Sequence, residues 1–300
     1  MKGALSFLRV VRRDPVLATC AALLLLSVLA AVAGLPCTGY TYDQISDASL
    51  LPPSRAHWCG TDANGRDLLT RTLFGARISL FIGAIGAVVS FVIGVTYGMV
   101  SGYAGGRVDN LMMRLVEILY SLPNLVLVIV LVTTLDAPVA ALLRGLGLTA
   151  ISPRLVLIVA FLGFTEWMTM ARIIRGQVLV LKQQPYIHAS RALGQSHARI
   201  LLKHLLPNLL GLIVVYLTLT VPAIMLDESF MSFLGVGLQP PLASWGTLVS
   251  EAAGLINPIR CYWWMLVFPG GMMTLTLLAL NFLGDGLRDA LDPRSGGRRG

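Results

Sequence analysis

The chain has 300 residues, 56% of them hydrophobic and only 13% charged, with a net charge of +8. Soluble domains carry about 25% charged residues, so this deficit, with a mean hydropathy of +0.76, excludes an ordinary soluble domain and marks an integral membrane protein. The excess of basic residues does not make a nucleic-acid surface, because they stand at the ends of apolar segments rather than on one shared face.

Six membrane spans are predicted, near residues 16–35, 77–102, 115–135, 154–174, 209–231 and 263–283. The fold class expected is therefore all-α, in a single transmembrane domain over residues 16–283. Residues 1–15 carry Lys2, Arg9, Arg12 and Arg13, and residues 284–300 form a short tail. The first apolar run is read as a retained span: it is long, and Leu35-Pro36-Cys37 makes a poor signal-peptide cleavage site. With both termini on one side, sixteen of the 23 Lys and Arg fall on that side and seven on the other. The positive-inside rule then makes both termini cytoplasmic, together with a loop over 176–208, and puts loops 37–76 and 233–262 outside.

In the first outside loop, Gly60 and Gly65 mark turns, and Thr61 or Asp62, then Asp67, can cap a short helix from Leu68 to Phe74. His57 and Asp62 are of metal-ligand type, but no third ligand stands at suitable spacing. Cys37 and Cys59 share this loop; in an oxidising compartment a bridge between them would contribute about 3 kcal/mol, and free thiols are the alternative. The second span repeats small residues every four positions, at Gly86, Ser90, Gly94, Gly98, Gly102 and Gly106, which predicts close packing against another helix of this chain or of a partner. Residues 103–109 read as a turn. Pro123 is expected to kink the third span, and Glu117 to pair with Arg114 three residues earlier.

Glu166 lies inside the fourth span, where an ionised carboxylate costs about 2.5–3.5 kcal/mol and needs a cavity or a partner; lining a pore and pairing between helices both remain open. Asp227 and Glu228 end the fifth span. They are candidates with Glu166 for the translocation path, although two carboxylates at a span end also suit the membrane interface. The prolines at 240 and 241 and the apolar stretch behind them point to an outside loop that dips back toward the pore. At the other end Asp285, Arg288, Asp289 and Asp292 are placed to interlock with neighbouring loops, and Arg298 and Arg299 to meet anionic headgroups.

Residues 183–208, QQPYIHASRALGQSHARILLKHLLPN, interrupt the apolar chain. Pro185 opens the stretch and Pro207 closes it, while Ser190, Gly194 and Ser196 divide it into a short helix, a glycine bend and a second helix. The spacing resembles the cytoplasmic loop of ATP-binding-cassette importer permeases, E-A-A, three residues, G, nine residues, I-x-L-P. Here His188-Ala189-Ser190 precedes Gly194, and His204-Leu205-Leu206-Pro207 follows. His188, Ser190 and His204 depart from that pattern; Gly194 and Pro207 keep it. The runs G-T-D-x-x-G-R-D from Gly60, E-S-F-x-S-F-L-G-x-G from Glu228, P-x-x-S-W-G from Pro241, and the end from Asn281 to Pro293 resemble the oligopeptide and dipeptide subfamily.

The resemblance implies a six-helix importer permease of type I, in a bacterial inner membrane. It implies as partners a second homologous permease, two cytoplasmic ATP-binding subunits, a periplasmic substrate-binding protein, membrane lipid and a peptide substrate, with no nucleic acid and no cofactor. Tyr186, His188, Ala189, Ser190, Ala192, Leu193, Gly194 and Pro207 would form the loop that couples to the ATPase. Other cargoes of this architecture are nickel chelates, glutathione and murein fragments. No phosphate-binding loop is present, since none of Lys2, Lys182 and Lys203 stands in a Gly-Lys-Ser/Thr context, and no catalytic constellation is evident, which argues against an intramembrane enzyme. A self-sufficient carrier would show inverted repeats and several intramembrane ions; no repeat is evident and only Glu166 is plainly intramembrane.

Overall fold

A computed structural model describes residues 14–149, 151–256 and 260–291. The predicted features at Lys2, Arg9, Arg12, Arg13, Asp292, Arg298 and Arg299 lie outside the described residues. Among those residues the fold is helical, and six helices are long and apolar enough to cross a membrane. In chain order, α1 is Pro15–Ala33, α2 Leu68–Ala104, α3 Gly106–Ser121, α4 Asn124–Gly145, α5 Pro153–Leu181 and α6 Pro185–Ala192. The continuous helix His197–Phe233 is α7, followed by α8, Trp245–Ala253, and α9, Trp263–Leu291.

The most extensive pairing is α2 against α5; α7 packs on both, and α4 lies on α5. The small-residue stripe explains this closeness. A Cβ added at Gly94 would sit 2.6 Å from the Met170 Cβ, and one at Gly98 would sit 2.5 Å from the Ala171 carbonyl oxygen, so the two backbones touch where side chains are absent. The partner of the stripe is thus within the chain. Gly106 does not belong to it: with Gly105 it makes the positive-φ turn between α2 and α3. Around this pair Ile82, Val128, Val132, Ile158, Leu162 and Ile224 form the central cluster.

Several boundaries differ from the sequence reading. The helix capped by Asp67, whose Oδ2 accepts from the Thr70 amide at 2.8 Å, does not stop at Phe74 but continues as the 37-residue α2, taking residues 68–76 out of the first loop. The third span is not a kinked 115–135. Proline offers no N–H and forces Leu122 into extended backbone (ψ 139°), so α3 ends at Ser121 and the span is α4. The separate α3 is amphipathic: Asp109, Met113 and Val116 face inward, Leu111, Leu115 and Ile118 outward. Glu117 makes no ion pair with Arg114 and lies instead within electrostatic reach of Arg175. Helices α5 and α9 also run further than read, to Leu181 and Leu291.

Pro207 does not close the polar stretch. It sits inside α7, where Leu201–Leu205 widens into a π turn. The widening accommodates a residue that cannot donate to the preceding turn, and the Asn208 side-chain amide donates to the His204 carbonyl at 2.6 Å. Ser190 breaks nothing either: it is a buried residue of α6 whose hydroxyl donates to the Tyr186 carbonyl at 2.8 Å. Cys37 and Cys59 are not bridged, and all four cysteines are free.

Candidate functional site

Polar side chains come together in three regions, two at the ends of the bundle and one between the spans. The first is the elbow formed by α6, Gly194 and the start of α7. Gln184 precedes Pro185, whose fixed φ and missing N–H suit the first helical position. The helix ends in a Schellman motif: the Gly194 amide donates to Arg191 O at 2.9 Å and the Gln195 amide to Ser190 O at 3.2 Å, with Gly194 at φ +73°. Ile187 is fully buried and packs with Val178, Ile200, Leu205 and Leu209, which seats α6 on the ends of α5 and α7. The opposite face is bare. Tyr186, His188, Ala189, Ala192 and Gly194 are exposed, and Leu193, at 81% exposure, is the most prominent apolar side chain of the elbow. Pro207 is also exposed, but stands further along α7. His204 Nε2 lies 2.9 Å from Gln195 Oε1, fastening the bend from the other side.

Beside the elbow, one carboxylate ties three helices. Asp109 of α3 accepts from Arg175 Nε at 2.5 Å and Nη2 at 2.6 Å, and from the Ser101 hydroxyl at 2.5 Å. The Arg175 hydrogen bonds hold its carboxyl below the usual carboxylate range; burial opposes them, and Ser101 and the charges of Arg175 and Lys182 reinforce them. The Lys182 ammonium donates to the Gly102 carbonyl at 2.7 Å and closes the C-terminus of α2.

The second region lies along α5 and α7. Glu166 and Asp227 are each half-buried, sit close enough to feel each other's charge, and form no ion pair among the described residues. Thr169 and Arg172 follow Glu166 at three-residue steps, so all three share one face of α5. Tyr120, near the end of α3, meets that face: its hydroxyl is 2.5 Å from the Thr169 hydroxyl, and the Arg172 guanidinium lies 4.0 Å from its ring centroid. In the sequence Arg172 counts only toward orientation, and no expectation attaches to Thr169 or Tyr120. The regular step of polar residues through an apolar helix was the available signal. Glu228 parts from Asp227. It is fully buried, accepting from Ser232 at 2.8 Å and Ser244 at 2.7 Å, because consecutive residues point about 100° apart on a helix. It anchors the foot of α8 and touches no open space.

The third region is the other end of the bundle. The segment after α7 does turn back into the bundle: α8 starts at Ser244, whose capping box with Thr247 closes its first turn. The fully buried Trp245 donates its amide to Ser79 Oγ at 3.0 Å and its indole N–H to the Thr72 carbonyl at 3.1 Å. Arg71, also fully buried, bridges Asp62 of the loop and Glu251 of α8, with 2.6 and 2.9 Å contacts to the latter. Asp62 also accepts from Arg66, and His57 Nδ1 lies 2.9 Å from Asp67, so these side chains serve the loop itself. Burial, and then the Asp67 charge, push the Cys59 thiol up to about 11.

Among the described residues, six helices long and apolar enough to cross a membrane carry an exposed elbow at one end and, at the other, α8 packed back on α2, α7 and α9. Residues 94–296 match the family described as binding-protein-dependent transport system inner membrane component. The chain belongs to that family. It is similar to the dipeptide transport system permease protein DppC of Bacillus subtilis, 50% identical over 244 residues, which cover 81% of this chain and 71% of the relative. The oligopeptide transport system permease protein OppC of Escherichia coli K12 is 44% identical over 238 residues, 79% of this chain and 72% of the relative. The OppC of Mycobacterium bovis is 37% identical over 288 residues, 96% of this chain and 93% of the relative. The protein is thus a multi-pass membrane permease of the binding-protein-dependent family, and the family match takes in the elbow, α5, α7 and α9.

Proposed function

We propose that this chain is one permease subunit of an ATP-driven importer that carries dipeptides or oligopeptides across a bacterial inner membrane. The protruding α6, seated on a buried cluster but bare on its outer face, is the observation that carries the reading. In it Tyr186, His188, Ala189, Ala192 and Leu193 enter a groove of a cytoplasmic ATP-binding subunit. Ser190 holds the helix from within, and Gly194 sets its angle. The partners are a second homologous permease, two ATP-binding subunits and a periplasmic binding protein. The distribution of Lys and Arg supports placing both termini and the elbow in the cytoplasm.

Closure of the ATPase pair moves α6 as a rigid piece, and the packed ends of α2, α5 and α7 transmit that movement to the spans. Glu166 and Asp227, with Thr169, Arg172 and Tyr120, line the path, since charged groups left unpaired within spans belong against a cavity rather than lipid. Charges of both signs suit the ammonium and carboxylate ends of a peptide. The ATPase, the second permease and the binding protein are co-expressed with this chain and the purified assembly placed in vesicles. ATP-dependent accumulation of labelled peptides of graded length is expected. Accumulation driven by this chain alone, without nucleotide, refutes the reading.

A further inference from the structure

We infer that Tyr103 is the positioning residue that joins the elbow to α2, so that movement of α6 is delivered to a 37-residue helix that runs to the far end of the bundle. Tyr103 is the next-to-last residue of α2 and half-buried. Two residues from opposite sides of the Gly194 bend grip its ring. The Arg191 guanidinium of α6 lies 4.8 Å from the ring centroid. His197, the first residue of α7, meets the ring edge-on at 5.6 Å, and its Nδ1 is 2.9 Å from the Tyr103 hydroxyl.

The bend is set by its backbone alone, with no side chain packed inside it. A Cβ on Gly194 would meet nothing within 4 Å, and a cavity of about 540 Å³ opens beneath the elbow, lined by Val100, Tyr103, Ala104, Arg191, His197 and Leu201. The Tyr103 ring lines that space and contacts both limbs there. From there α2 runs 37 residues, about 55 Å, to Asp67 and to Arg71 in the charge network that holds α8. A push on α6 through Arg191 and His197 therefore reaches the opposite end of the bundle along a single helix. The neighbouring polar contacts run elsewhere, since Lys182 and Arg175 tie α2 and α3 to α5, and the cluster around Ile187 holds α6 by apolar packing alone.

The coupling role rests on the importer reading above, and two readouts separate their fates. In the full assembly in vesicles, Tyr103→Ala is expected to lower peptide taken up per ATP hydrolysed about tenfold, while the ATPase still co-purifies. In the chain alone in detergent, amide hydrogen exchange over residues 185–200 is expected to quicken by a similar factor. Should Tyr103→Ala fail to assemble, Tyr103→Phe decides, because it keeps the ring and deletes only the bond to His197; about a threefold change is expected in both readouts. Unchanged uptake per ATP overturns the coupling role, and unchanged exchange overturns the clamp. If the wild-type assembly shows no ATP-driven uptake, the importer reading falls and the coupling role with it, while the exchange measurement still decides whether Tyr103 holds the elbow.

Discussion

Asp109 shows how much one short side chain can organise at the end of a membrane bundle. It accepts from Arg175 and Ser101 and so holds α3 against α2 and α5. Arg175 is about a third exposed, so solvent weakens the pair, and Asp109→Asn is expected to cost about 1–2 kcal/mol. Because the folded carboxyl titrates below its ordinary value of 3.8, its contribution is fully present above that pH and is lost as pH falls through the lower folded value. Thermal unfolding in detergent between pH 7 and pH 3 should show this acid limb flattened in Asp109→Asn. An equal acid response in both proteins refutes the assignment. Cys59 offers a second test. With its thiol at about 11, roughly one molecule in a thousand carries the thiolate at pH 8. The exposed Cys37 should therefore take up maleimide well before Cys59, read by mass spectrometry, and preferential labelling of Cys59 would contradict its burial.

At the scale of elements, glycines act in two different ways. Gly98 allows α2 and α5 to touch, since a Cβ there would press on the Ala171 carbonyl. Gly98→Ala is expected to cost about 1–3 kcal/mol, because backbone cannot move aside as a side-chain tip can. Gly176 on α5 faces open space, so Gly176→Ala should leave stability unchanged or raise it by about 0.5–1 kcal/mol. Paired unfolding curves check the contrast, and equal costs would refute it. Gly194 acts through its backbone conformation alone. A β-branched residue at φ +73° is strained by about 1–2 kcal/mol, so Gly194→Val should insert normally but re-angle α6. Uptake per ATP is then expected to fall about five- to thirtyfold, and normal uptake by that variant counts against the elbow's role.

Across the whole molecule, the two ends are built from different chemistry. The elbow rests on an apolar cluster with basic side chains around it, and the partly exposed Arg175 pairs with Asp109 beside it. The far end is held by buried charge, with Arg71 between Asp62 and Glu251, residues of a loop and a helix far apart in the chain. Arg71→Met would keep the packing but leave Asp62 buried with one cation fewer, at a cost of about 3 kcal/mol. Residues 37–67 should then be cut faster in limited proteolysis, with the spans still intact; wild-type resistance would show that the loop does not depend on Arg71.

Much of this was legible in the chain itself. Five of the six spans, the Asp67 cap, the Gly194 bend and the stripe from 86 to 102 follow from local rules. Lipid demands long apolar runs with their hydrogen bonds satisfied within the helix, and glycine and proline act on their own backbone. The third span lies later in the chain than its hydropathy indicates, because hydropathy continues across Pro123 while the helix does not. Pro207 does the opposite and leaves the helix unbroken, a π turn absorbing what proline normally breaks. Contacts between distant residues were beyond any local pattern. Glu228, turned away from Asp227 on the helix, is met by Ser244 from the next segment, Arg71 reaches a carboxylate 180 residues away, and Tyr103 finds Arg191 and His197 across a gap that only packing closes. Local composition decided what crosses the membrane, whereas the meeting of polar groups depended on how the spans lie together, because such groups lower the energy only when their partners arrive.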